Sequence, residues 1–94
     1  LTKIRLQIHG KVQGVFYRQS ALEVAKLLGL EGWIKNNPDG TVEAEAIGSP
    51  EAIAQFTQWC RQGPSRATIE RVEVLSQADE TPAASRLSGF RIVG

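Results

Sequence analysis

Apolar and polar residues alternate from the start of the chain. Ile4, Leu6 and Ile8 fall on one side and Lys3, Arg5, Gln7 and His9 on the other, so residues 3 to 9 predict a half-buried strand. From about residue 18 to 28 the period lengthens, and Ala21, Leu22, Val24, Ala25 and Leu28 form a helical stripe that stops at Gly29. Ser20 and Glu23 have capping-box spacing, with Arg18 placed either just before or inside the first turn. Gly32 to Asn36 predicts a second short strand, and Asn37-Pro38-Asp39-Gly40 is dense turn chemistry. Residues 41 to 47 return with Val42, Ala44 and Ala46 on one face and Thr41, Glu43 and Glu45 on the other. Ser49-Pro50-Glu51 supplies an N-cap, a proline at the first helical position and an early acid. The helix it opens carries Ala52, Ile53, Phe56, Trp59 and Cys60 at three-to-four spacing and is stopped by Gly63-Pro64. Residues 67 to 75 predict another strand, in which Ile69 and then Val72 and Val74 change parity, implying a bulge near Glu70 and Arg71. Ala78 to Ser85 reads as a polar connection, and Phe90 to Val93 as a last short strand whose place in the sheet the pattern does not determine.

The order strand, helix, strand, strand, helix, strand, with a small terminal strand, predicts an α+β fold. It is the ferredoxin-like split βαβ sandwich, a mostly antiparallel sheet of four to five strands with two helices on one face. In that arrangement a crossover helix joins the first two strands, which run parallel and end at the same edge of the sheet. The loop ending in Arg18 follows the first and Asn36 closes the second, so both are expected to face a common pocket.

Ninety-four residues suit one domain, 1–94, with a single modest core. Apolar residues at 41% and charged residues at 22% are ordinary for a globular protein, and 11 basic against 10 acidic residues give a formal charge of +1. That balance argues against reliance on bulk attraction to nucleic acid or to an acidic membrane. No apolar run approaches the roughly 20 residues that cross a bilayer, and Leu1-Thr2-Lys3-Ile4-Arg5 lacks the layout of a signal peptide. The expectation is a cytoplasmic protein and, with no exposed apolar stripe evident, a monomer. Cys60 is the single cysteine and His9 the single histidine, so neither a disulfide nor zinc-type spacing is available and no metal or other cofactor is expected.

The run Gly10-Lys11-Val12-Gln13-Gly14-Val15-Phe16-Tyr17-Arg18 ends a strand, carries two glycines and delivers an arginine to a helix start. Backbone amides from Gly14, Val15, Phe16, Tyr17 and Arg18, together with a helix N-terminus and a guanidinium, suit a phosphate group. The loop taken alone also fits a plain strand-to-helix connection whose arginine sits in solvent. Asn36 carries an amide that can orient a water for attack on phosphorus. Ser20 is the nearby hydroxyl at the helix start, but no histidine or carboxylate stands beside it to activate it. A hydrolase without an evident base or metal needs a substrate with a good leaving group. Acyl phosphates meet that need, since a carboxylate leaves without protonation.

These residues resemble the acylphosphatase family. Its first signature is matched by the run from Gly10 to Arg18 and its second by Gly32-Trp33-Ile34-Lys35-Asn36-Asn37-Pro38-Asp39-Gly40-Thr41-Val42-Glu43, while element order, length and Gly89-Phe90-Arg91-Ile92 extend the likeness over the chain. The resemblance implies metal-free hydrolysis of small acyl phosphates to carboxylate and inorganic phosphate. It places Arg18 as the phosphate-binding arginine and Asn36 as the asparagine that positions the attacking water. Tyr17 stands where phenylalanine is frequent in the family, a mild departure that leaves the register of Arg18 intact. Related domains fused to larger maturation enzymes handle carbamoyl phosphate. Without a linker or paired cysteines here, a free-standing enzyme is the expectation.

Plainer readings accompany these. His9 is expected to be exposed, Lys35 to face solvent, and Lys11 to lie on the surface or to steer an anion. Trp33, Trp59 and Phe56 read as packing groups and Cys60 as an inert buried thiol. Glu43 and Glu45 are expected to pair with Lys3 and Arg5 across strands, at roughly 0.2 to 1 kcal/mol each. A ferredoxin-like RNA-binding module would need aromatic residues on the open sheet face, where the first and third strands instead offer charged and polar ones. A noncatalytic module that binds phosphate or another small anion through the same loop is the alternative that only turnover distinguishes.

Overall fold

A computed structural model describes residues 1–79 and 89–94. In chain order its elements are β1 (Thr2–Lys11), α1 (Tyr17–Leu27), β2 (Glu31–Asn36), β3 (Val42–Gly48), α2 (Pro50–Gln62), β4 (Thr68–Asp79) and β5 (Phe90–Ile92). The five strands form one sheet in the order β4-β1-β3-β2-β5. β3 pairs antiparallel with both β1 and β2. The two outer partners of β3 therefore run parallel to each other and finish at one end of the sheet. The architecture is the expected ferredoxin-like α+β sandwich, with both helices on one face. β5, which the pattern could not place, lies parallel to β2 at the outer edge, with Gly32 opposite Phe90 and Ile34 opposite Ile92.

The alternating residues become the core. Ile4, Leu6 and Ile8 of β1, Ile34 of β2 and Val42, Ala44 and Ala46 of β3 meet Ala21 and Ala25 of α1 and Ile53, Phe56 and Cys60 of α2. Each large aliphatic or aromatic side chain buried this way contributes about 1.5–3 kcal/mol. α2 begins as its grammar predicts, with Ser49 Oγ accepting a hydrogen bond from the Ala52 N–H at 3.1 Å and Pro50 at the first position. α1 ends in a Schellman arrangement, where the Leu30 N–H donates to the Ala25 carbonyl at 2.9 Å and Gly29 takes φ 70°.

Several expectations need correction. α1 starts at Tyr17 with Phe16 as its N-cap, so Ser20 lies inside the first turns and forms no capping box with Glu23. β4 shows the predicted bulge, since His9 pairs with Arg71 and Gly10 with Ile69, leaving Glu70 extra. A second shift skips Leu75 and carries the strand on through Ala78 and Asp79. The expected connection from Ala78 thus starts as strand, and its remainder lies outside the described residues. Trp33 is not a core residue but lies half-buried on the open face, with the Arg5 guanidinium 5.4 Å and the Lys35 ammonium 5.6 Å from its ring centroid. His9 is partly covered because β4 lies beside it, with Nε2 3.2 Å from Glu73 Oε1.

The predicted cross-strand charges do pair, with Arg5 Nη2 donating to Glu45 Oε1 at 3.0 Å and Lys3 Nζ 3.8 Å from the same oxygen. Arg5 keeps 42% of its side chain exposed, which limits each such pair to about 1 kcal/mol. Among the described residues no helix is long and apolar enough to cross a membrane.

Candidate active site

β1 and α1 are joined by a loop that leaves little of its conformation to chance. Val12 and Val15 are buried and pin its two ends to the core. Between them Gly14 takes φ 74° with open space where a Cβ would be, so what the position demands is the backbone conformation and not the room. Phe16 takes φ 64° and ψ 22°, a left-handed conformation that costs a non-glycine residue about 1 kcal/mol or more. The residue is 69% exposed, so burial of its side chain does not offset the strain.

The strained residue is the N-cap of α1, and no side chain caps this helix. No acidic residue occupies the first turn. The amides of Tyr17, Arg18 and Gln19 therefore carry the unneutralised positive end of the helix dipole. These residues help to line a pocket of about 270 Å³, together with Gly14 and Asn36 and with the apolar Val12, Phe16 and Ile92. The parallel course of β1 and β2 thus brings Arg18 and Asn36 together as the topology predicted. Val15 alone of the sequence-assigned loop residues does not line the pocket, because its side chain packs into the core.

Arg18 is half-buried and forms no ion pair with a carboxylate among the described residues. Asn36 is the last residue of β2, and its Oδ1 is buried without a hydrogen-bond partner among those residues. Tyr17 contributes backbone to the rim while its side chain turns inward. Its hydroxyl donates to the Cys60 carbonyl at 2.8 Å and its ring lies 5.3 Å from that of Trp59. Burial raises the Tyr17 phenol well above its ordinary value and pushes the Cys60 thiol up to about 12, so neither is an acid or base for the pocket.

Sequence reasoning assigned no role to Gln13. Its Nε2 donates to the carbonyls of Asn37 at 2.8 Å and Thr41 at 2.9 Å, tying the loop to the β2–β3 turn. That turn is closed by the Asn37 N–H donating to Thr41 O at 2.8 Å. Asp39 Oδ1 accepts from the Thr41 hydroxyl at 2.6 Å and from its N–H at 3.0 Å. These bonds, the hydroxyl first, hold the Asp39 carboxyl below its ordinary 3.8. Gln13 lay within the signature run, but a loop has no periodicity that would reveal a partner 24 residues away. Gln19 and Ile92 were likewise missed as pocket residues, Ile92 because the place of β5 was unknown.

A larger cleft of about 400 Å³ opens between α2 and β4, lined by Ile53, Thr57, Arg61, Val74 and Gln77 among others. Among the described residues it has no uncapped helix end, and Arg61 is the one charged residue of its lining. The smaller pocket is where the chemistry converges. Among the described residues no three His, Cys, Asp or Glu side chains gather as a metal site would require.

The family model for acylphosphatase matches residues 4–92. An acylphosphatase of Thermococcus kodakarensis is 44% identical over 92 residues, covering 98% of this chain and 96% of its own. One of Rubrobacter xylanophilus is 42% identical over 90 residues, covering 96% of this chain and 78% of its own. The crystal structure of acylphosphatase from Bacillus subtilis superimposes with a TM-score of 0.91 at 28% identity, covering all of both chains.

Proposed function

The chain belongs to the acylphosphatase family, and from that premise we propose that it hydrolyses the carboxyl–phosphate bond of small acyl phosphates without a metal, using the pocket between the β1–α1 loop and the end of β2. The observation that carries the proposal is the convergence on one pocket of about 270 Å³ of an uncapped helix N-terminus and, without partners among the described residues, an arginine and a buried amide oxygen.

In this reading the amides of the loop from Gly14 to Arg18 and the Arg18 guanidinium donate to the phosphoryl oxygens. These bonds strengthen as negative charge develops on them. Asn36 Oδ1 accepts a hydrogen bond from a water and aims its lone pair at phosphorus. As the new P–O bond forms, the bond from phosphorus to the acyl oxygen breaks and the electron pair leaves with the carboxylate. Among the described residues no histidine or carboxylate lines the pocket, and in this reading the water's proton passes to a phosphoryl oxygen. Inorganic phosphate and a carboxylate are the products, and the leaving group needs no acid. The apolar lining residues Val12, Phe16 and Ile92 offer contact to the acyl portion.

Hydrolysis of benzoyl phosphate in excess chelator, compared between the wild type and Arg18→Ala, tests the proposal. The expected result is fast, chelator-resistant turnover that is lost in the folded variant together with phosphate inhibition. A rate no higher than the spontaneous one, with phosphate still bound, would leave a noncatalytic anion-binding module.

A further inference from the structure

We infer that Gln13 is a positioning residue that fixes the Asn36 amide relative to the phosphate cradle; this rests on the hydrolytic reading above. Cradle and amide stand on different segments, the cradle after β1 and Asn36 at the end of β2. β3 lies between those strands, so their ends are separated by two strand spacings, or about 10 Å. The β1–β3–β2 ladder fixes the strand ends, and beyond it the loop is held against the β2–β3 turn by whatever bridges the two.

Gln13 is the bridge. Both of its amide hydrogen bonds go to the turn, one to the carbonyl of Asn37, the residue directly after Asn36, and one to that of Thr41, whose carbonyl also closes the turn. The turn has bonds of its own through Asp39, Gly40 and the Asn37 side chain, and the loop is pinned by Val12, Val15 and α1. Without Gln13 each half keeps its internal structure and the two stay joined only through the sheet, where Val42 pairs with both Ile8 and Asn36, short of the cradle. A second observation points the same way. No hydrogen bond holds Asn36 Oδ1 among the described residues, so its position is set through the backbone that Gln13 anchors. Attack on phosphorus depends steeply on alignment, and a displacement of about 1 Å can cost about a hundredfold in rate.

The test uses benzoyl phosphate and the full chain, with Gln13→Met and Gln13→Ala made singly and each combined with Asn36→Ala. Methionine keeps the length of the side chain and removes its donors, and alanine removes both. The readouts are kcat, KM and the inhibition constant of inorganic phosphate, with circular dichroism showing that each variant is folded at the assay temperature. Gln13→Met is expected to lower kcat about ten- to a hundredfold and to change phosphate inhibition less than about twofold. Added to Asn36→Ala it should cost less than about twofold more, because no aligned amide remains to be displaced. Wild-type kcat in folded Gln13→Met, losses that multiply in the double variant, or phosphate inhibition weakening in step with kcat would each overturn the inference. So would failure of both Gln13 variants to fold. An inactive wild type would instead remove the hydrolytic reading itself, which separates the two failures.

Discussion

Asn36 Oδ1 is a buried acceptor without a partner among the described residues, a condition that costs about 1–3 kcal/mol and that packed proteins ordinarily avoid. A water bound there would relieve that cost, and in the proposed reaction that water is the nucleophile. Arg18 stands in the complementary state, a cation without a counterion among the described residues, beside uncapped amides. The two residues therefore separate by function. Arg18→Ala is expected to remove affinity and turnover together, and Asn36→Ala to lower kcat by about a hundredfold and leave phosphate inhibition near the wild-type value. Steady-state kinetics with phosphate as competitor measures both, and an Asn36→Ala protein of unchanged kcat would remove that residue from the mechanism. Tyr17 shows how one position serves two ends, with its backbone at the rim and its hydroxyl bonded across to Cys60 of α2.

At the scale of elements, the two helices begin in opposite ways. α2 starts with Ser49 satisfying the Ala52 amide, while α1 starts on a strained, exposed Phe16 with no side-chain cap. Leaving the second start uncapped forgoes about 1 kcal/mol of helix stability and keeps its amides available to an anion. The β2–β3 turn is the other specialised element, and Asp39 sets its pH response. Its carboxyl titrates below the ordinary 3.8 because the Thr41 hydroxyl and amide bond the charged form. A depressed carboxylate stabilises the fold above its unfolded pKa, and that contribution is lost as pH falls through the folded value. Wild type and Asp39→Asn should accordingly differ in urea midpoint at about pH 7 and converge at about pH 2. A gap that persists at the lower pH would mean that the charge of Asp39 does not support the turn.

At the scale of the whole molecule, a short edge strand completes both core and pocket. Phe90 is 4% exposed and its ring lies 5.7 Å from that of Phe56, while Ile92, two residues on, lines the pocket. β5 is only three residues long, so its attachment depends on that one buried ring as well as on its pairing with β2. Phe90→Ala is expected to cost about 3–5 kcal/mol, read as a lowered urea midpoint. A loss below about 1 kcal/mol would show that pairing alone holds β5.

The sequence by itself determined what depends on local periodicity and local chemistry. Alternation in β1 and β3, the helical stripes, the Ser49 cap, the Gly29 and Gly63 stops and the parity change in β4 each lie within a few residues of their cause. Element order then implied that β1 and β2 run parallel, which brought Arg18 and Asn36 to one end of the sheet before any coordinates. The rest was decided by contacts between distant segments. The place of β5 and the second register shift in β4 depend on strand partners that no local pattern names. Trp33 sits on the open face because it is out of phase with buried Ile34 and next to Arg5 across the sheet, and Gln13 meets a turn 24 residues away. A side chain in a loop has no period to betray its partner, so its role exists only once the chain has closed around it.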